Sequence, residues 1–238
     1  MIIDLHTHIG RSRDGAHQNI HEILDLMKQY GIGQSLVFPI DEEKPGPSYQ
    51  RLNRLIARVV KRYPNIMGCA RLNPNQLGAC FDEIDFAVRS GFRAVKLHPR
   101  SDQFCATQSS SLFDEINKHK LIVILHTDHE SNCHPMDWFR FFKKYPKIPF
   151  VLTHAGKDLY KQAIHAAQKF RNVFLDTSTI SYYRTSQILK EAGAQKIVFA
   201  SDIPYSHIGI ELRKFELLLP ISKRRIVYLE NAKRILDL

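Results

Sequence analysis

His6 and His8 stand two residues apart in the apolar run IIDLHTH, near the start of a chain of 238 residues. A β-strand turns successive side chains to opposite faces, so both imidazoles point the same way and one ion can reach both. Later runs of the same kind also end in polar residues: Arg71 in IMGCARLN, Lys96 and His98 in RAVKLHP, and the metal-competent His126 in LIVILHT, His154 in FVLTHAG and Asp202 in KIVFASD. Imidazole nitrogen and carboxylate oxygen are ordinary ligands of zinc and its neighbours. An ion held on such atoms with one position open to water is catalytic, because it draws the pKa of that water towards neutrality. Each piece has a plainer reading. A lone H-x-H, or one histidine at a strand end, is as often ordinary strand polarity, and Asp202 in SDIP could cap a turn. Recurrence at the ends of several strands is what argues for a metal centre.

Those residues need elements to position them. Eight short β-branched runs, at 2–8, 34–40, 66–73, 93–99, 121–127, 150–156, 173–178 and 196–202, alternate with segments of helical apolar spacing. IHEILDLMKQYG ends at a glycine stop and LNRLIARVVKRYP at a proline; the last helix is expected from about Lys223. This alternation predicts a parallel sheet covered by helices, and over 1–238 the single-domain solution is an α/β fold of the (β/α)8 TIM barrel type. An open doubly wound sheet is the alternative, but no G-x-G-x-x-G follows any of the runs. In a barrel the active site lies at the C-terminal ends of the strands, where these residues fall. The first strand is expected to stop at His8, at the mouth. Asp4 is expected deeper on the same face, and DEEKPGPS (41–48) as a loop over the mouth.

Lysine and arginine number 34 against 24 acidic residues, a net charge of +10. That excess is compatible with nucleic acid, a small anionic substrate or nothing specific. Much of it falls at 140–147 and 223–234, which read as solvated faces of outer helices, and with no aromatic-interleaved basic patch and no reader motif nucleic acid is not expected. Arg71 and Arg100, near strand ends, suit the paired hydrogen bonds of a carboxylate or phosphate. No apolar run of about 18 residues offers a membrane span. The four cysteines have no C-x-x-C spacing, and the first residues lack a signal-peptide pattern, so free thiols and a cytoplasmic setting are expected. A homo-oligomer is left open.

The stretches IIDLHTHIG, GFRAVKLHP, VILHTD, YPKIPFVLTHAG, NVFLDTS, IVFASDIPYSH and NAKRIL, in that order over nearly the whole chain, resemble the amidohydrolase superfamily. The closer likeness is to its amidohydrolase-related branch of metal-dependent hydrolases and non-oxidative decarboxylases. The resemblance implies that His6 and His8 hold the more buried metal and that His126 is a further ligand. It implies that His154 binds a second metal or orients water and substrate. Asp202 would ligate the metal and take a proton from the attacking water. Lys96 would be a carbamate bridging two metals in some members; its place two residues before His98 favours an uncarbamylated, substrate-facing residue and one divalent ion, zinc before manganese. His98 would line the substrate site. The implied reaction is attack of metal-bound hydroxide on a C–N or C–O bond beside a carbonyl in an amide, cyclic imide or lactone. A decarboxylase on the same scaffold is the alternative. DLHTH followed by SRDG also resembles PHP-type phosphoesterases, which the later motifs fit less well.

Overall fold

The computed structural model describes residues 1–238, the side chain of Ser109 excepted. The apolar runs become β1 (Ile2–Arg11), β2 (His17–Gln18), β3 (Ile32–Pro39), β4 (Ile66–Leu72), β5 (Ala94–Leu97), β6 (Ile122–His126), β7 (Phe150–Thr153), β8 (Val173–Asp176) and β9 (Ile197–Val198). They form one sheet in the order β2-β1-β3-β4-β5-β6-β7-β8-β9. Every neighbouring pair is parallel except β1 with β2. The helices are α1 (Ile20–Tyr30), α2 (Gln50–Arg62), α3 (Leu77–Arg89), α4 (Pro99–Asp102), α5 (Ser110–Lys118), α6 (Phe139–Lys144), α7 (Tyr160–Lys169), α8 (Tyr182–Ala192), α9 (Ile208–Leu218), α10 (Ile221–Arg225) and α11 (Asn231–Leu236). Among them none is long and apolar enough to cross a membrane.

Strand alternation sorts the core into two layers. Val37, Ala70, Val95, Leu97, Val123, Leu125, Leu152 and Leu175 pack outwards against the helices. Leu36, Phe38, Met67, Cys69, Ala94, Ile122, Ile124, Val151, Phe174 and Val198 pack on the inner face. Ala232, Ile235 and Leu236 of α11 join this inner set and form its floor. Above the floor the same inner face turns polar.

The expected pattern of eight parallel strands is met in part. A ninth, antiparallel strand is added, because β1 runs three residues past His8 and doubles back: Gly10 (φ 122°) and Gly15 (φ 90°) take left-handed conformations, and Ser12 N donates to Ala16 O at 2.7 Å. The last strand has two residues, since the chain bends through 199–202 and Asp202 itself takes a φ of 57°. The edges of the sheet meet through few bonds. Leu5 N donates to Phe199 O at 3.0 Å, Asp202 N to His6 O at 2.8 Å and His8 N to Ile203 O at 3.0 Å, with a single bridge between Thr7 and Ile203.

Strict alternation along β1 is also broken. Ile3 and Leu5 belong to the inner apolar set, yet His6 and His8 also face inward. The pairing of β1 with β3 slips between Asp4 and Thr7, and this bulge re-aims the strand. Asp4 therefore does not share the face of His6, as strict alternation predicts. Its Oδ1 accepts from His6 N (3.1 Å) and Ser201 N (3.0 Å), and its Oδ2 from Thr7 Oγ1 (3.3 Å). Asp4 is a clamp across the seam. Burial, only partly offset by these bonds, pushes its carboxyl up to about 6. Replacing Asp4 by Ala strands two buried backbone donors and should lower unfolding stability by about 1–3 kcal/mol, read from a urea titration; an unchanged midpoint would remove the clamp role.

Candidate active site

A cavity of about 530 Å³ opens at the C-terminal ends of the strands. Each strand that reaches it contributes its last inward residue or the one just beyond: His6 and His8 from β1, Arg71 from β4, Lys96 from β5, His98 after it, His126 from β6, His154 after β7 and Asp202 after β9. Arg100 on α4 and Asp41 on the 41–48 loop complete the near wall. All nine residues singled out in the sequence line this one space.

Three side chains converge tightly at its base. Asp202 Oδ1 lies 2.9 Å from His6 Nε2 and 3.0 Å from His8 Nε2, and the two nitrogens lie 3.2 Å apart. Atoms that share one ion at about 2.1 Å are separated by about 3.0–3.4 Å, from octahedral to tetrahedral geometry, so the triangle fits a divalent cation. The tautomer fits too. His6 Nδ1 donates to Asp176 Oδ2 at 2.6 Å, which turns the lone pair of Nε2 towards the triangle. His154 approaches from the far side, its ligating nitrogen within 4.8 Å of those of His6 and Asp202. Its Nδ1 lies 3.3 Å from Ser178 O and 3.1 Å from Thr179 Oγ1, an anchor that points the other nitrogen away from the wall. The backbone here is strained: His154, Ala155 and Lys157 all take positive φ, at 57°, 42° and 49°. Such conformations persist where surrounding structure holds a functional side chain in place.

His126 stands apart from the triangle. Its Nε2 pairs with Asp128 Oδ2 at 2.9 Å, and with Cys133 these two make a second buried group of ligating atoms. Its ring stacks on His98 at 3.8 Å between centroids and 12° between planes. The role expected for it as a further ligand therefore has the Asp128 contact to break first. His98 also caps α4, its Nδ1 accepting from Ser101 N at 3.2 Å.

Burial sets the charges. It pulls His8 and His154 down to about 4, with Asp202 opposing the shift in both. It also holds His98 and His126 well below the usual imidazole range. Burial alone would raise the Asp202 carboxyl, but His6 and His154 outweigh it and keep Asp202 well below the usual carboxylate range. His6 is raised despite its burial, by Asp202 and Asp176. At neutral pH the site thus offers ionised carboxylates and neutral imidazoles at His8 and His154, the forms a metal requires.

The basic residues differ in kind. Arg71 is buried in the wall, its Nη2 3.1 Å from Asp41 Oδ1 and 3.3 Å from Asp102 Oδ1, with its guanidinium 4.0 Å above the Tyr49 ring. Arg100 is half exposed at the rim, 3.4 Å from Asp128. Lys96 Nζ and Arg71 Nε are buried with no hydrogen-bond partner. Three residues at the candidate site escaped the sequence reading: Asp176, Asp128 and Asp41. The first was findable, because Asp176 ends β8 as His126 ends β6.

The amidohydrolase family profile matches residues 3–238. The chain belongs to the amidohydrolase family. No curated protein sequence matches it. Solved structures of similar fold include 5-carboxyvanillate decarboxylase from Sphingomonas paucimobilis, at 14% identity and a TM-score of 0.77 over 100% of this chain and 99% of that one. Another is dihydroxybenzoic acid decarboxylase from Polaromonas sp. JS666 with bound manganese and the inhibitor 2-nitroresorcinol, at 16% identity and a TM-score of 0.75 over 100% and 97%. A third, from Pseudomonas putida, is named as a candidate 2-pyrone-4,6-dicarboxylic acid hydrolase, at 16% identity and a TM-score of 0.72 over 99% and 97%. Likeness at this identity speaks to the fold that the amidohydrolase chain shares with them.

Metal content checks the triangle. Asp202→Ala should leave the purified protein without its divalent ion. Asp176→Ala, which frees His6 to rotate, should weaken the ion about 10–100-fold in chelator competition. Full retention in Asp202→Ala would place the ion elsewhere.

Proposed function

We propose that this protein is a metal-dependent decarboxylase of a small carboxylic acid. The observation that carries the reading is a buried lysine, Lys96, whose Nζ has no hydrogen-bond partner, beside a second buried cation, Arg71, whose Nε is also free. Arg71 and Lys96 are register partners on adjacent strands, each 1% exposed, and each brings an unpartnered nitrogen to the cavity wall. A buried donor without a partner is costly; Arg71 has Asp41 and Asp102 on its Nη2, but the Lys96 ammonium has no carboxylate bonded to it and asks for an anionic group. A substrate carboxylate or phenolate beside the His6–His8–Asp202 triangle would meet that need. Neighbours named for carboxyvanillate and dihydroxybenzoate decarboxylation support the choice over hydrolysis, the primary expectation from sequence. The sheet is read here as a (β/α)8 barrel whose seam runs between β1 and 199–203.

His6, His8 and Asp202, with His154 close by, would hold one divalent ion. The donor set is all nitrogen and oxygen, which suits manganese as well as zinc. When bound, the ion supplies Lewis-acid stabilisation of the negative charge that develops as CO₂ departs. The residues of the chain do the rest. Arg71 and Lys96 orient the substrate and neutralise its second anionic group. Burial lowers Lys96 to about 8 against the pull of Asp202 and Asp176, so it remains mostly charged at pH 7. Breaking the carbon–carboxylate bond leaves a carbon that needs one proton. Asp202 is ionised and His154 neutral at pH 7, so that proton comes from solvent or a substrate hydroxyl and is relayed by Asp202, within the triangle, or His154, next to it. The four cysteines are unpaired, in keeping with a reducing, cytoplasmic setting.

A hydrolase is the second reading, favoured by the candidate pyrone hydrolase among the similar folds. Asp202 would then take a proton from water. CO₂ release from hydroxybenzoic acids supports the first reading; consumption of lactones or pyrones without CO₂ overturns it. Chelation should abolish turnover while the thermal midpoint moves by less than about 5 °C; a fold that melts on chelation would make the ion structural. Lys96→Met and Arg71→Met should each raise KM for a carboxylate substrate about 10–100-fold, and a KM unchanged in both would exclude the anion pocket.

A further inference from the structure

At the opposite end of the sheet, a second concavity of about 430 Å³ opens between the starts of β7, β8 and β9 and helix α11. Lys147, Arg171, Lys196 and Arg234 surround it, and no aspartate or glutamate lines it. Lysines on nearby helices are balanced: Lys144 pairs with Asp114, and Lys161 with Glu191. Among the described residues the four cations of the concavity have no such partner. Two of them are fixed in place. Lys196 Nζ donates to the carbonyls of Phe170 (2.8 Å), Arg171 (3.2 Å) and Val173 (3.3 Å). Arg234 Nη2 donates to Gln195 O (2.7 Å) and Asn231 Oδ1 (3.2 Å). Both cations also lie over the Phe174 ring, at 5.5 and 5.0 Å.

An interior clamp accounts for Lys196 alone, as it ties the end of α7 to the start of β8. It leaves Arg171, Lys147 and Arg234 gathered round the same opening without a counter-charge. The crowding is felt: burial, and then the charges of Arg234 and Arg171, lower Lys196 to about 8. An anion in the concavity would relieve that repulsion.

We propose that this concavity is an anion site, separate from the catalytic cavity, that binds the diphosphate group of a small soluble molecule. Four cations around one opening exceed what a single carboxylate would neutralise, and a diphosphate carries the matching charge and enough oxygens for forked guanidinium contacts. Arg234 forms the fixed base and Lys196, its three N–H groups already on carbonyls, adds only its charge from beneath; Arg171 and Lys147 form the exposed rim that supplies further donors. The site does not depend on the reaction assigned to the catalytic cavity.

Calorimetric titration with inorganic diphosphate at low ionic strength tests this on three proteins. The unmodified protein should show saturable binding of one diphosphate per chain. Lys147→Gln/Arg171→Gln, two exposed rim changes, should weaken it at least about tenfold while leaving the ligand-free thermal midpoint unchanged. Arg100→Gln, at the catalytic mouth, should bind as the unmodified protein does. Absence of saturable binding, equal affinity in the rim variant, or a loss confined to Arg100→Gln would each overturn the proposal.

Discussion

Asp202 donates its backbone N–H to the carbonyl of His6 at 2.8 Å, and its carboxylate meets the imidazole of the same residue at 2.9 Å. One residue thus joins the edges of the sheet and the two halves of the candidate metal centre. Without the seam the carboxylate has no reason to lie beside the histidines. Without the histidines a buried carboxylate would have no counter-charge, and burial would drive it to take up a proton. The seam and the site stabilise one another.

The charge arrangement around that bond is layered. Asp176 behind His6 and Asp4 beneath it are both fully buried carboxyls, yet their environments push them in opposite directions. Bonded directly to the His6 ring, Asp176 stays below its usual range; held mainly by backbone N–H groups and hydroxyls, with the charge of His6 the smallest of the influences on it, Asp4 rises. A charged partner makes the difference, as neutral hydrogen bonds do not offset full desolvation. Across the cavity, Arg71 is compensated by Asp41 and Asp102 while Lys96 has no partner. Positive character is therefore concentrated on the β5 side and negative character on the β1 and β9 side, a gradient that would orient a polar substrate.

Most of this was legible in the sequence because the cavity residues obey one rule: they end strands. H-x-H, KLH, ILH, THAG and SD could be found by reading the last inward residue of each apolar run. What escaped had physical causes. The bulge in β1 reverses the facing of Asp4 and leaves no mark in residue type, since Ile3, Leu5, His6 and His8 look like one alternating strand. Strand β2 depends on two left-handed glycines, not on apolar periodicity. Asp128 sits in a turn after β6, and its contact with His126 arises from chain geometry that a single sequence does not encode by pattern. Asp41 comes from a loop, where position is set by neighbours such as Arg71, Arg13 and Ser101 rather than by local propensity.

The clamp at Asp4 also bears on the order of events in synthesis. Its partner, the backbone of Ser201, lies 197 residues along the chain, and the apolar floor waits on Ala232 to Leu236. At about 5–20 residues per second, β1 leaves the ribosome about 10–40 s before the segment that closes against it. For that interval two histidines and an open strand edge are exposed together, able to pick up a metal or another strand. The nascent chain has to tolerate this reactive strand until the segment 197 residues further on has been made.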